Sequence, residues 1–525
     1  MGTKNFSNAN DLITFSRASG GTALRKVAYG PELVTNGDFS TDSDWTKQSA
    51  WTISDGQASY DDSGLEYIQS TTAFELTAGK TYEISYEIIS GSVPVIGFLN
   101  DTASVNLLGA YQFPSTGINK AVFSPSSTVN GIRIYGNNSG SSFVLDNVSV
   151  KEVLFDDASG DLTLLNHPAD VPRIEYDADG NVLGLLVEES RTNLLTYSED
   201  FTDASWAKVG LTSTTKDQAG PDGVLSGYTL LANTSSLSYV SLGFTVSTST
   251  KYTFSVFAKA GTEDWIALNI RNNTTVSDGV RYFDVASGAL GVAAGSTLDG
   301  ASIEDVGNGW YRCSVTFTSD AADTTASLRI YVAEGNGDAI TNDGTESVII
   351  YGAQLEAGAF PTSYIPTAGA TATRSADVAS IPVADFGYNQ SEGTVVVEGQ
   401  TIESNADSRF FTLSDGTNNN RISFSRGSTY HPYVATGGAA QASLAAGTVN
   451  AGTLVKAAAA FRQDDIAGVI DGGSVATDTS AAIPSVNKLY LAAAATGLIR
   501  GACHIKSIKY YPRRLTNAQL QELTT

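Results

Sequence analysis

Apolar and polar residues alternate along most of this chain, and that period of two constrains the fold more than any other feature. The alternation is clearest at residues 81–89, 143–150, 252–259, 311–318 and 394–399. Because successive side chains of a strand point to opposite faces, the pattern predicts strands with one buried face. Turn pairs such as Asp179-Gly180 and Asp415-Gly416 punctuate them. We therefore expect an all-β fold of several antiparallel β-sandwich (jelly-roll) domains in tandem.

One helix is expected, at the C-terminus. Thr516 and Gln519 have the spacing of a capping box, in which each side chain bonds the backbone N–H of the other residue. The sequence predicts a short helix that follows this box and runs through Leu523.

A degenerate repeat organises the first two thirds of the chain. NGDFSTDSDW at 36–45 and SEDFTDASW at 198–206 share an acid–Phe step followed by Trp, and KTYEISYEII at 80–89 resembles KYTFSVFAKA at 251–260. Each copy closes on an apolar strand, at 144–150 and at 348–355. The opening motif, the middle strand and the closing strand recur in the same order in both copies, which predicts two jelly rolls at 31–153 and 193–370.

The remaining segments have patterns of their own. Residues 154–192 hold two candidate hairpins, 155–162 with its turn at Ser159-Gly160 and 174–186 with its turn at 177–181. A strand is predicted at 12–19, so the segment 1–30 is expected to pack against 154–192. Strand pairs around the turns at 415–420 and 463–465, with a late strand at 503–511, predict a third domain at 371–525.

Charge narrows the choice of partners. The 525 residues include 55 Asp and Glu against 31 Lys and Arg, a net charge of −24. Such a surface repels nucleic-acid backbones and anionic lipid headgroups, so both are poor partners. Residues 375–525 hold 12 acids and 11 bases, a net of −1, which leaves −23 for the first 374 residues. This asymmetry favours a separate C-terminal domain.

Few residues are available for metal or redox chemistry. The two cysteines are Cys313 and Cys503, and the three histidines are His167, His431 and His504. They are too scattered to predict a disulfide framework, a zinc site or a multi-histidine centre. The N-terminus lacks the apolar core of a signal peptide, and no apolar run is long enough for a membrane span. We expect neither signal-peptide secretion nor membrane insertion.

Several longer strings resemble tailed-bacteriophage virion proteins, especially tail-fibre-like adhesins. They are FSRAS (15–19), VPRIEYD (171–177), GLLVEESRTNLLTYSEDFTDASW (184–206), GWYRCSVTF (309–317) and YGAQLEAGAFPTSYIPT (351–367). In such proteins a carbohydrate-binding-module-like jelly roll often precedes a laminin-G or concanavalin-A-like sandwich. IKYYPRRLTNAQLQELT (508–524) is similar to the end of that sandwich, with its closing helix.

The resemblance implies a location and partners. It implies a virion protein assembled in the host cytoplasm, binding other virion proteins and a host-surface polysaccharide, and forming a homo-oligomer, a trimer. This chain departs from the family in one respect, because residues 31–153 separate FSRAS from VPRIEYD. The first jelly roll is therefore expected to be an insertion into a module formed by 1–30 and 154–192.

No pattern in the chain indicates catalysis. There is no G-x-S-x-G motif and no E-x-D-x-E motif, and nothing singles out two carboxylates that would face each other across a sugar bond. Residues 177–188 space their acids like a calcium loop, but Val182 stands where the loop needs Gly. A hairpin is the better interpretation there, and no enzyme activity is expected.

One calcium site is implied by the resemblance alone. In jelly-roll carbohydrate modules the opening and closing strands often share a structural calcium, which here would involve Asp146 with Asp38 as partner. The second unit has Tyr351 at the position of Asp146, so the site would belong to the first unit. The alternative is that both are ordinary turn and edge acids. No other cofactor is expected.

Aromatic residues are the expected ligand-binding residues, because sugar C–H faces stack on exposed rings. Trp51 and Trp265 each have no tryptophan at the corresponding position of the other repeat, so a shared packing role does not explain them and they are candidates for ligand binding. Tyr430 and Tyr433, in the sequence YHPY, form a candidate cluster in the third domain, where His431 is interpreted as a surface residue rather than a metal ligand.

Three further tryptophans have competing interpretations. Trp45 and Trp206 recur at one repeat position, which suits a shared packing role as well as binding. Trp310 lies inside a predicted strand and is expected in the core.

The resemblance, together with the aromatic candidates, implies a bacteriophage virion structural protein, a tail-fibre-like or decorating adhesin that binds host-surface glycans. Two alternatives stay open. One is a purely structural capsid or tail component without a ligand, and the other is a non-catalytic polysaccharide-binding protein of a bacterium.

Overall fold

A computed structural model shows antiparallel sheets almost throughout and a short C-terminal α-helix, which confirms the predicted all-β fold. The structure describes residues 13–525 apart from 62–65, 92–94, 100–103, 106–116, 126–127, 137–141, 158, 234–236, 274–276, 339–341, 403–407, 427–428, 449 and 495–501. Residues 1–12, the start of the segment 1–30, lie outside the described residues. The strand predicted at 12–19 is shorter than expected, spanning Thr14–Ser16.

The described residues between 14 and 155 form β1 (Thr14–Ser16), which joins a sheet of the C-terminal sandwich, and most of a two-sheet sandwich. The strands after β1 are β2 (Gly21–Tyr29), β3 (Trp45–Lys47), β4 (Trp51–Ser54), β5 (Gln57–Tyr60), β6 (Tyr67–Ser70), β7 (Glu75–Leu76), β8 (Tyr82–Gly91), β9 (Val95–Leu99), β10 (Ser104–Val105), β11 (Gly117–Phe123), β12 (Val129–Asn130), β13 (Ile132–Tyr135) and β14 (Phe143–Phe155). One sheet has the order β10-β9-β13-β6-β3, and the other contains β11-β8-β14-β2, with β5 also beside β14. Alternate residues such as Ile68, Ile84 and Leu145 fill the core between them.

Four short strands link this sandwich to the next: β15 (Asp161–His167), β16 (Arg173–Tyr176), β17 (Val182–Glu188) and β18 (Arg191–Asn193). The hairpin expected at 174–186 is confirmed, because β16 pairs with β17. The hairpin expected at 155–162 is wrong, since β2 lies between β14 and β15 and pairs with both. Gly160 crosses directly over Val27, and a Cβ at Gly160 would stand 2.8–3.0 Å from Val27 backbone atoms. The Gly160 N–H also bonds the Asp157 carbonyl oxygen at 3.0 Å, so the chain does turn here, but the turn leads from one side of β2 to the other instead of joining two paired strands.

The second sandwich repeats the strand order of the first. Its strands are β19 (Ala207–Val209), β20 (Leu211–Ala219), β21 (Leu225–Ala232), β22 (Tyr239–Thr245), β23 (Lys251–Ala260), β24 (Trp265–Asn272), β25 (Asp278–Asp284), β26 (Ala289–Gly295), β27 (Leu298–Asp305), β28 (Tyr311–Thr318), β29 (Thr325–Ala333) and β30 (Ser347–Ala357). The sheet β19-β22-β29-β24-β25-β26 matches β3-β6-β13-β9-β10 of the first unit strand for strand, with β26 added. The facing sheet is β20-β21-β30-β23-β28-β27.

The C-terminal sandwich uses strands from three parts of the chain. It contains β31 (Ala372–Arg374), β32 (Val378–Pro382), a 3₁₀ helix (Val383–Phe386), β33 (Glu392–Thr401), β34 (Arg409–Ser414), β35 (Arg421–Arg426), β36 (Tyr430–Thr436), β37 (Ala439–Ser443), β38 (Val455–Arg462), β39 (Asp465–Ile470), β40 (Ala476–Asp478), β41 (Lys488–Leu491), β42 (Ala502–Tyr511) and α1 (Asn517–Thr524). Its sheets are β1-β32-β41-β34-β35-β36-β37 and β16-β17-β42-β33-β38-β39-β40. Strand β1 and the β16–β17 hairpin, expected in an N-terminal module, therefore belong to these sheets.

The helix α1 confirms the capping box. The Thr516 N–H donates to Oε1 of Gln519 at 3.0 Å, and the Gln519 N–H donates to Oγ1 of Thr516 at 3.3 Å. Leu520 packs against Val396 and other apolar residues on the outer side of the second sheet. No helix among the described residues is both long and apolar enough to cross a membrane.

Candidate functional site

Trp45 and Trp206 occupy the same place in the two jelly rolls, and both are buried. Each indole Nε1 donates to the carbonyl oxygen nine residues earlier in the chain, at 2.8 Å in both units. Each ring packs on the Phe of its motif, with centroids 5.1 Å apart at Phe39 and 4.9 Å apart at Phe201. With 6% and 1% of their surfaces exposed, neither tryptophan offers a ring face to a sugar. The shared packing role accounts for both.

Trp51 is also a core residue, so the exposure expected of it is wrong. Its ring centroid lies 5.4 Å from those of Tyr60 and Phe143, and 4% of the residue is exposed. Strand β4 pairs with β5, which pairs with β14, and these three rings meet on the core side of that sheet. Trp310, at 1% exposed, is in the core as predicted.

Tyr430 and Tyr433 lie on opposite faces of β36, because they are an odd number of residues apart. Tyr430 is 1% exposed, stacks on Phe410 with centroids 5.3 Å apart, and shares a 3.0 Å hydrogen bond with Thr401. Tyr433 is half-buried, with the Arg421 guanidinium 4.6 Å from its ring centroid. The two tyrosines therefore do not form one surface.

Trp265 lies on an outward face that carries several other aromatic rings. The register of β22, β29, β24 and β25 places Tyr239, Tyr331, Ala267 and Tyr282 side by side in one row. Trp265 begins β24 at the edge of this row and is half-buried. Together these residues form a cluster on the side of the sheet opposite the core.

An arginine flanks the row. Arg329 lies two residues before Tyr331 on β29, and its Nη1 donates to the Tyr331 hydroxyl at 3.2 Å. Its guanidinium stands 5.4 Å from the centroid of the Tyr239 ring, and the two tyrosine centroids are 4.8 Å apart. The outward face thus combines aromatic rings with charged hydrogen-bond donors.

The first jelly roll carries the same arrangement on the corresponding sheet. Tyr67 pairs with Tyr135, and Gln69 pairs with Arg133 in the next row. The tyrosine centroids are 5.8 Å apart, and the Arg133 Nη1 donates to the Tyr135 hydroxyl at 3.2 Å. The Arg133 guanidinium lies 4.0 Å from the Tyr67 centroid. We call these two surfaces the tyrosine–arginine faces.

Apart from Trp265, sequence reasoning missed the residues of these faces. A signal was present, since the string Arg-Ile-Tyr occurs at 133–135 and again at 329–331, at corresponding positions of the two repeats. Each copy places Arg and Tyr on one side of a strand and the apolar Ile on the core side.

No known protein family and no curated protein matches this sequence. Among solved structures, the tandem CBM22-1–CBM22-2 domain of Paenibacillus barcinonensis Xyn10C is 10% identical, covering 64% of this chain and 99% of its own, with a TM-score of 0.22. Domains LG4-5 of mouse laminin α1 are 11% identical, covering 59% and 96%, with a TM-score of 0.18. Trypanosoma rangeli sialidase in complex with the inhibitor DANA is 10% identical, covering 90% and 92%, with a TM-score of 0.23. Likenesses this distant carry no argument about activity.

Asp38 and Asp146, the pair considered for calcium, lie near each other in the first unit. Asp38 is exposed and accepts the Ser40 N–H at 3.3 Å. Asp146 on β14 lies opposite Glu87 on the neighbouring strand β8. Burial, together with the charges of Glu87 and Asp38, raises the pKa of Asp146. No group of three or more His, Cys, Asp or Glu among the described residues is arranged to hold a metal ion. Calcium binding by this pair stays a prediction.

A buried ionic network joins distant parts of the chain, including FSRAS and VPRIEYD. Arg17 of FSRAS and Arg173 of VPRIEYD both contact Asp377, at 3.1 and 2.6 Å. Arg173 also contacts Glu188 at 2.9 Å, and Arg374 lies 3.6 Å from the same carboxylate. All five side chains are at most 2% exposed. Arg17 directly follows β1 and Asp377 directly precedes β32, while the other three residues lie on β16, β17 and β31, so the network holds separate chain segments together.

The charges in this network stabilise one another. Burial alone would raise the pKa of Glu188, but the Arg374 and Arg173 guanidiniums and two hydrogen bonds from Ser363 lower it to about 2. Burial and the charge of Arg173 lower the pKa of Arg17 to about 10, while Asp377 opposes that shift. Glu188 and Arg17 are therefore both charged at neutral pH.

Proposed function

We propose that this protein binds glycans without catalysis, through the tyrosine–arginine faces of its two jelly rolls. The observation that carries the proposal is the recurrence of the same Tyr, Tyr and Arg arrangement on corresponding outward faces. Packing of a core does not require it, because these side chains point away from the core. Tyr331 and Tyr282 are only 7% and 8% exposed, so the rings that can meet a ligand are the half-buried Tyr239 and Trp265 in the second unit and Tyr67 and Tyr135 in the first. Rings that present a face to solvent stack on the C–H surfaces of sugars, and an adjacent arginine donates to their hydroxyls.

The proposal extends to the biological setting. The protein acts as a virion structural protein of a tailed bacteriophage, a tail-fibre-like or decorating adhesin that contacts other virion proteins and a host-surface polysaccharide, and it works as a trimer. The strings FSRAS and VPRIEYD support this setting. A bacterial polysaccharide-binding protein and a ligand-free capsid or tail component are the competing functions. Detecting the chain in purified phage particles by mass spectrometry, with its mass in solution, tests location and assembly.

Binding is tested on an array of neutral, amino and acidic oligosaccharides. We expect the double variant Tyr239→Ala/Tyr331→Ala to lose about tenfold or more in affinity, by analogy with the loss of stacked rings elsewhere. Tyr29→Ala is the control for the loss of a ring outside both faces, because Tyr29 is 37% exposed on β2, and the thermal midpoint of the double variant shows whether the loss of Tyr331, at 7% exposed, disturbs the fold. A wild-type protein that binds nothing on the array would favour the ligand-free alternative. Release of new reducing ends from a bound oligosaccharide would overturn the non-catalytic part.

A further inference from the structure

A cleft of about 1150 Å³ lies between the second jelly roll, the β16–β17 hairpin and the rest of the C-terminal sandwich. Strands β27 and β28 form one wall, on the sheet opposite the tyrosine–arginine face. Their register brings Glu304 beside Arg312 and Ser302 beside Ser314. On β28, Arg312 and Ser314 alternate with the core residues Cys313 and Val315. The polar side chains therefore point away from the core and line the cleft.

The other wall is a fixed chain of hydrogen bonds. The His504 Nε2 lies 2.7 Å from Oε2 of Glu175, and its Nδ1 lies 3.1 Å from Nε2 of Gln400. Glu175 comes from β16, whereas His504 and Gln400 come from the paired strands β42 and β33. Three strands therefore hold this wall in place, and its side chains are oriented before any ligand arrives.

Glu304 is the free acceptor of the cleft. Its side chain is exposed to the cleft, and no hydrogen bond joins it to any described residue. Although water reaches it, protein surrounds it closely, and this reduced hydration together with the charge of Glu175 raises the pKa of Glu304. Beside it, Arg312 is 8% exposed and donates to Oγ of Ser255 at 3.1 Å.

The charges that line the cleft leave it negative. Two of its carboxylates pair with basic side chains of the lining, Glu189 with Arg191 and Asp299 with Lys251. Glu188 is neutralised by the buried arginines described above. Glu304 and Asp305 remain on the β27 wall against Arg312 alone. An acid sugar would meet repulsion here, whereas a protonated amine would gain a charge-assisted hydrogen bond.

We infer that this cleft is a second carbohydrate site, selective for glycans that carry a free amino sugar, with Glu304 as the acceptor for the ammonium group. The inference rests on the proposed glycan-binding function and adds a substrate class to it. The Gln400–His504–Glu175 chain and the serine pair are placed to bond hydroxyl groups of the same glycan. Uronic acids and sialic acids are excluded by charge.

Calorimetry with three tetrasaccharides tests the site: β-1,4-linked glucosamine, its N-acetylated counterpart and galacturonic acid, all at pH 6. We expect wild-type protein to bind the glucosamine tetramer about tenfold more tightly than the N-acetylated one, and not to bind the galacturonic acid tetramer. Glu304→Gln should abolish this preference. Glu522→Gln is the control, because Glu522 is an exposed carboxylate on α1, outside the cleft. The double variant Tyr239→Ala/Tyr331→Ala should keep the preference.

The outcomes separate the two proposals. If Glu304→Gln binds the glucosamine tetramer as tightly as wild type does, or if wild type does not prefer the amine, the cleft assignment is overturned while binding at the tyrosine–arginine faces can still stand. If the double tyrosine variant loses the preference together with Glu304→Gln, the cleft is not a separate site. If wild-type protein binds no oligosaccharide of either test, both proposals fail.

Discussion

Asp377→Asn should destabilise the C-terminal sandwich by about 3–5 kcal/mol, the usual cost of removing one partner from a buried ion pair. Asn has nearly the shape of Asp, so the change removes a charge without leaving a cavity. The lost carboxylate contacts Arg17 at 3.1 Å and Arg173 at 2.6 Å and accepts the Glu188 N–H at 2.9 Å. Glu188 would then face three buried guanidiniums alone. Arg17 is affected most, because burial already lowers its pKa to about 10 and Asp377 opposes that shift.

Urea unfolding followed by circular dichroism measures this cost, and limited proteolysis with mass spectrometry identifies the part of the chain that opens first. We expect early cleavage around β1 and β16, since Arg17 and Arg173 attach these segments to Asp377. Asp42→Asn is the control, because Asp42 pairs with Lys47 at the surface with 57% of its side chain exposed, where an ion pair contributes less than about 1 kcal/mol. Equal, small effects of the two substitutions would refute the assigned role of the network.

Three further predictions concern single features. Burial and the charge of Asp222 raise the pKa of Glu199 to about 7. The stability that protonated Glu199 provides is therefore complete below about pH 4.5 and is lost as the pH rises through 7. Glu199→Gln should remove this loss, so that the thermal midpoint changes less between pH 5 and pH 8 than in the wild-type protein. Deleting 31–153 with a short bridge should leave the remainder folded, because Tyr29 pairs with Val153, and an insoluble product would contradict this. Thr516→Ala should cost about 1 kcal/mol in the unfolding of the C-terminal sandwich, measured by urea denaturation, whereas no change would mean that the cap contributes nothing.

Local patterns were sufficient to predict several of the strands and the helix. Alternation reports which side of a strand is buried, and β28 begins and ends where the pattern at 311–318 places it. The capping box is equally local, since Thr516 and Gln519 bond each other. The hairpin at 155–162 failed because a turn signal does not show whether the strands on its two sides pair with each other, and here β2 lies between them and pairs with both.

The candidate site was harder to predict, because it depends on which strands become neighbours. Tyr239 and Tyr331 are 92 residues apart in sequence and meet only through the register of β22 and β29. Trp51 was misplaced for a related reason. Lack of a counterpart in the other repeat does not free a residue to bind a ligand, because each sandwich fills its core with its own residues, here Trp51, Tyr60 and Phe143.

The two tyrosine–arginine faces have the same arrangement of residues, but they differ in how many hydrogen-bond donors of the arginine are already used within the protein. In the first unit, Gln69 accepts from both Nε and Nη2 of Arg133, at 3.1 and 2.7 Å, and so occupies two of its donor groups. In the second unit the paired position is Ser241, which makes no hydrogen bond to Arg329 among the described residues. Arg329 therefore keeps more of its donors for a sugar hydroxyl, and it stands beside a face that Trp265 and Tyr282 enlarge. Since each added ring increases the area available for stacking and each free donor adds a hydrogen bond, the second jelly roll is the one expected to determine affinity.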